Sequence, residues 1–190
     1  MESVNDFYEG AREIIDSFER FLQENELIRR VQADHICYKC RNSESFIAIR
    51  SLFESPREND AAGSRINQSY ISKRRIALIT FNKLIKTSVG NIGLLELSDQ
   101  RPDGSQEEGF DHIEIYAKRG TYDELVDYLS GRGLEIKKIE RPHHTTHDIP
   151  ISGGFLVRLT RESLYDKVGR EVSEEKPNQL NPNFNLPSEH

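Results

Sequence analysis

The chain has 190 residues, 35% of them hydrophobic and 31% charged, with a formal net charge of −6. That length suits one large domain or two small ones around a shared core, and the acidic balance argues against sequence-independent nucleic-acid binding, which needs phosphate neutralisation. Two cysteines, no apolar run long enough to cross a bilayer and no leader-like N-terminus predict a soluble protein of the reducing cytoplasm, without a membrane partner.

Residues 5–28 place Phe7, Ala11, Ile14, Ile15, Phe18 and Leu22 at the three- and four-residue steps of an amphipathic helix. From Asp34 to Cys40 the chain alternates like a strand. Ser43 is the expected N-cap of a helix over 43–54, whose Phe46, Ile49 and Phe53 share a face. "SRINQSYIS", "RIALITF" and "NIGLLELS" read as three further strands, so this stretch runs β-α-β-β-β. The polar "DQRPDGSQEEG", with Pro102 and Gly104, reads as a linker.

The order then repeats. "DHIEIYA" is a strand, and "TYDELVDYLSGRG" a helix with Thr121 as N-cap and Glu124 at the capping-box position. "LEIKKIE", "THDIPIS" and "GGFLVRLT" are three more strands. The expected fold is α+β: two βαβββ modules forming a curved mixed sheet or open barrel, with an N-terminal helix. One domain then covers 1–168, divided into the helix (1–30), first module (31–101), linker (102–110) and second module (111–168), and a tail follows at 169–190.

Asp-His-Ile occurs twice, at 34–36 and 111–113, each time opening a module. By strand alternation His35, Cys37 and Lys39 share a face opposite Ile36 and Tyr38, and His112, Glu114 and Tyr116 share one opposite Ile113 and Ile115. The closing strands each carry one charge among apolar neighbours, Glu96 in "LLELS" and Arg158 in "LVRLT". Such a charge is costly unless paired or bound to metal. If the modules join their sheets, His35, His112 and Glu96 meet as two imidazoles and a carboxylate, a set suited to zinc, iron, manganese or nickel. Packed histidines and a Glu96–Arg158 ion pair explain the same residues without a metal, and both explanations stand at this point.

The paired modules resemble the vicinal oxygen chelate superfamily of glyoxalases and extradiol dioxygenases. More narrowly, "ADHICYKC", "GLLELS", "GFDHIEIY" and "GGFLVRLTRESLYD" resemble the YecM family over roughly residues 5–168. That likeness implies His35, His112 and Glu96 as ligands of a divalent metal, in an enzyme of isomerase, lyase or dioxygenase type or in a non-catalytic ligand-binding protein. Many superfamily members place a fourth ligand where Arg158 stands here, which leaves Arg158 to hold an anionic substrate by a charge-assisted bond. Glu114 is the spare carboxylate for general-base work, and as a metal ligand it ranks second to Glu96 because its neighbours in sequence are more polar. Lys39, Asn67, Tyr116 and Arg158 are polar handles for a small oxygenated substrate or ligand. His143, His144 and His147 form a polar rim from which His144 would touch that molecule. The other expected partner is a second copy of the chain, in a homodimer. Neither a nucleophile elbow nor a phosphate-binding loop is present.

Overall fold

The computed structural model describes residues 1–54, 66–71, 74–140 and 145–164. Helix α1 (Val4–Glu24) is followed by β1 (Val31–Lys39), α2 (Ser43–Glu54), β2 (Ile66–Ile71), β3 (Arg74–Thr87) and β4 (Gly90–Ser98). The second series is β5 (Gly109–Ala117), α3 (Tyr122–Gly131), β6 (Lys137–Glu140), β7 (Thr145–Pro150) and β8 (Leu156–Thr160). The eight strands form one open mixed sheet in the order β2-β3-β4-β1-β5-β8-β7-β6. Each half pairs its first and last strands in parallel, β1 with β4 and β5 with β8. Among the described strands, the halves of the sheet join only through the antiparallel pair β1–β5. This is the fold of the expected paired modules.

Alternation along the four central strands decides where the core sits. Ile36, Tyr38, Leu95, Leu97, Ile113, Ile115, Val157 and Leu159 are buried in one cluster with the apolar faces of all three helices. The helices therefore cover one face of the sheet, and the histidines open on the other.

Capping sets the ends of the helices. The amide of Asp6 donates to Ser3 Oγ at 3.2 Å and the amide of Ser3 to Asp6 Oδ2 at 2.9 Å. The Thr121–Glu124 box expected from sequence forms in the same way on α3. The start of α2 differs from expectation. Asn42 accepts from the Ser45 amide at 2.7 Å, while the Ser43 hydroxyl turns to Asp99. Helix α1 stops short of residue 28 because Glu26 takes a positive φ of 54°, letting the Leu27 amide reach back to the Leu22 carbonyl at 2.8 Å. The polar linker is pinned rather than loose: the buried Gln106 amide donates to the carbonyls of Cys40 at 2.7 Å and Asp99 at 2.9 Å. No described helix is long and apolar enough to cross a membrane.

Phe7 is the centre of the core under the sheet. It is fully buried, with ring centroids of Tyr8, Phe53 and Phe110 at 5.4 Å and of Phe81 at 5.8 Å. Replacing Phe7 by Ala is expected to cost about 3–5 kcal/mol, the range for emptying such a site. Urea unfolding followed by circular dichroism measures it; a loss near 1 kcal/mol would show that the aromatic cluster relaxes around the hole.

Candidate metal centre

The two strands of the seam each carry one extra residue. Ala33 pairs with Ile115 and Ile36 with Ile113, so β1 takes three steps where β5 takes two. Asp34 and His35 therefore both stand against Glu114. Further along, Cys37 pairs with His112 and Tyr38 with Phe110, and the unmatched residue is Asp111. On a regular strand, adjacent residues point to opposite faces. A bulge removes that constraint and re-aims the side chain. Asp34 Oδ2 then lies 2.8 Å from His35 Nδ1, and Asp111 Oδ2 lies 2.7 Å from His112 Nδ1. The duplicated tripeptide thus builds the same device twice, an imidazole steered by the carboxylate that precedes it. Neither aspartate was singled out from sequence, although Asp precedes both histidines and that was the available signal.

With Nδ1 so engaged, each ring turns Nε2 toward a hollow, the cluster of charged side chains on the face of the sheet away from the helices. Both imidazoles are buried and their centroids are 5.9 Å apart. One ligand atom each from His35, His112 and Glu114 lie within 4.8 Å of one another. Glu114 Oε1 is 3.6 Å from His112 Nε2, and Glu96 Oε2 is 3.8 Å from His35 Nε2. Both carboxylates read from the sequence therefore reach the hollow. Glu114 is the more buried, and Glu96 keeps 20% of its side chain exposed. His35 Nε2 is buried without a hydrogen-bond partner.

Arg158 lies beside His112 and pairs with Asp148, not with Glu96. Its Nε and Nη2 donate to the two oxygens of Asp148 at 2.7 and 2.8 Å, and Nη1 stands 3.0 Å from His112 Nε2. Asp148 was not foreseen; it faces Arg158 because β7 registers Asp148 directly against it. Lys39 is ion-paired with Asp111. Tyr116 follows Glu114 on the same face, half-buried, in register with Gln32 and Thr160. Asn67 lies on β2 opposite Leu78, its side chain outside the described residues, as are His143 and His144. His147 pairs with the Tyr122 hydroxyl at 2.6 Å instead of entering the hollow.

Charge in the hollow is predominantly negative. Among the described residues, Asp34, Glu96, Asp111, Glu114 and Asp148 face the cations Lys39 and Arg158 and the imidazoles of His35 and His112. Burial opposes protonation of His35, yet Glu114, the Asp34 hydrogen bond and Glu96 outweigh it and raise its pKa to about 9. Burial likewise opposes ionisation of Glu114, but His35, His112 and Arg158 hold its carboxyl well below the usual range. Cys37 Sγ lies 3.5 Å from Glu96 Oε1, and burial together with Glu96 and Asp111 pushes its thiol well up, so it stays protonated.

A family model described as YecM protein matches residues 4–151. Among solved structures, a structural-genomics protein named Protein EC4020 is 19% identical with a TM-score of 0.60, covering 86% of this chain and 92% of its own. A methylmalonyl-CoA epimerase is 12% identical (TM-score 0.43, covering 67% of this chain and 92% of that one). A genomically encoded fosfomycin resistance protein from Listeria monocytogenes, solved with Mn(II) and a sulfate ion, is 16% identical (TM-score 0.27, covering 72% and 94%). No curated protein matches.

The His35 shift has a definite sign in stability. A pKa raised from 6.5 to about 9 adds stability that is complete below pH 6.5 and lost as pH rises through 9. For the metal-free protein the loss is expected to reach about 3 kcal/mol across that window. Glu114 acts in the opposite sense, its contribution present above its ordinary value of 4.5 and fading as pH falls. Urea midpoints from pH 6 to 10 test this, and Asp34→Asn, which removes one of the charges raising His35, is expected to flatten the alkaline limb. An equally steep limb in that variant would assign the loss to another group.

Proposed function

The chain belongs to the YecM family, and from that premise and the chemistry of the hollow we propose that it is a divalent-metal-dependent enzyme acting on a small oxygenated molecule. The observation that carries this is the orphaned Nε2 of His35, buried beside a second imidazole and two carboxylates. A buried polar atom left without a partner is costly, and so is an excess of negative charge out of water. A cation relieves both.

His35 and His112 would hold the ion through Nε2, with Nδ1 of each ring donating to Asp34 and Asp111, the outer-shell support that fixes a ligand's tautomer. Two nitrogens and one oxygen suit zinc, iron, manganese or nickel. Such an ion supplies Lewis acidity toward a substrate oxygen. Glu114 is a better ligand than base: a carboxylate kept anionic far below neutral pH takes up protons weakly. We therefore give Glu114 the ligand position and Glu96, beside His35, the proton-handling one, exchanging the two roles read from the sequence. Tyr116 and Lys39 are the remaining polar groups on the substrate face. Isomerisation, lyase or dioxygenase chemistry is compatible with this set. The free, buried thiols Cys37 and Cys40 fit a reducing compartment such as the cytoplasm.

Metal analysis of protein purified without chelator tests the reading. Near one ion per chain is expected for the wild type, lost in His35→Ala and His112→Ala, and weakened by well over roughly tenfold in Glu114→Ala. Loss in Glu96→Ala with retention in Glu114→Ala would restore the roles read from the sequence. A metal-free wild type that takes up none of the four ions would leave a structural domain. Bound metal without turnover of any diol, keto acid or catechol would favour a ligand-binding protein.

A further inference from the structure

Resting on the metal reading above and going beyond it, we propose that Arg158 competes with the ion for His112 Nε2, and that a small carboxylate ligand relieves this competition, so that ion and anion bind cooperatively.

The geometry at Nε2 carries the proposal. Arg158 Nη1 stands 3.0 Å from His112 Nε2. A guanidinium has five N–H donors, no acceptor, and keeps its protons. The contact is therefore a donation from Arg158 into the Nε2 lone pair, and Nδ1–H is left to point at Asp111. That tautomer is the one a metal ligand needs. The lone pair, however, is already occupied. An imidazole–zinc bond is about 2 Å long and uses the same lone pair, so it leaves no room for a nitrogen 3.0 Å away.

Arg158 does not drift aside freely. Two of its nitrogens hold both oxygens of Asp148, and the pair is largely buried, with side-chain exposures of 13% and 10%. The main chain fixes it too, since Arg158 is in register with Glu114 on one side and Asp148 on the other. An incoming cation thus meets a resident cation that is hydrogen-bonded to one of its ligands and clamped from behind.

Once the ion takes Nε2, Nη1 is a buried charged donor in need of an acceptor. Asp148 holds the Nε/Nη2 edge of the guanidinium, which turns Nη1 away from it, and Glu114 is drawn to the ion. A ligand that carries its own carboxylate supplies that acceptor. A 2-hydroxy or 2-oxo carboxylate fits this demand: the carboxylate receives Nη1 and the neighbouring oxygen faces the ion. A neutral diol has the oxygens without the charge and does not fit.

Zinc binding by isothermal titration, with glycolate or ethane-1,2-diol as the added ligand, tests this. In wild type, saturating glycolate is expected to tighten zinc binding by about tenfold or more, the diol to do nothing, and zinc to tighten glycolate binding by the same factor. Arg158→Met is expected to bind zinc about tenfold more tightly than wild type in plain buffer and to lose the glycolate effect. Because that variant strands Asp148, the Arg158→Met/Asp148→Asn pair is measured beside it, and the reciprocal wild-type titration needs no variant at all. Equal zinc affinity in wild type and both variants, with no glycolate effect, would overturn the competition while leaving the metal site intact. Absence of zinc binding in every protein would remove the metal site itself, and the competition with it.

Discussion

The hollow depends on a single seam, the antiparallel pairing of β1 with β5, and on the extra residue that each strand inserts there. Strict alternation would send Asp34 and His35 to opposite faces, putting one of them among the helices. An unpaired carboxylate in that core would cost several kcal/mol. The bulges remove the conflict by turning aspartate and histidine to the same side, where each satisfies the other. Antiparallel strands meet the same problem from both directions and solve it alike. Hence the tripeptide appears twice, one copy on each side of the seam.

Much of this was legible in the chain. Alternation gave the four central strands, because each has one face against helices and one against a polar hollow, and period two survives that asymmetry. It also gave both histidines, Glu96, Glu114 and Arg158 a common face. The Thr121–Glu124 box was legible because capping is local. What escaped was register. A bulge belongs to two strands at once, so Asp34 and Asp111 looked like flanking residues. Asp148 became the partner of Arg158 only through the pairing of β7 with β8. Glu96 seemed the more deeply placed carboxylate because leucines flank it, yet neighbours in sequence face the other side and say little about the cover over the carboxylate itself. The segment reads as a linker by composition, and the side-chain amides of Gln100 and Gln106 pin it through bonds to distant backbone that composition does not show.

Electrostatic economy ties the hollow together. Each cation has a designated carboxylate: Lys39 takes Asp111, Arg158 takes Asp148. Two glutamates remain, facing two imidazoles. Low dielectric strengthens every one of these contacts, which is why a buried histidine can hold a proton well above neutral pH and a buried glutamate can refuse one. A site so arranged is poised between a proton and a metal on the same nitrogen, and the balance turns on pH as well as on the ion.

The two steering aspartates are anchored differently. Asp111 is held from across the seam by Lys39, one core strand gripping another. Asp34 Oδ2, the oxygen that faces His35, also accepts the backbone amide of Leu164 at 2.9 Å. That amide belongs to the chain just after β8, outside the sheet. The two bonds share one oxygen, so the placing of His35 is tied to the chain that follows β8 as well as to the seam. The two copies of the device therefore differ in what braces them, the sheet itself for Asp111 and the segment after β8 for Asp34.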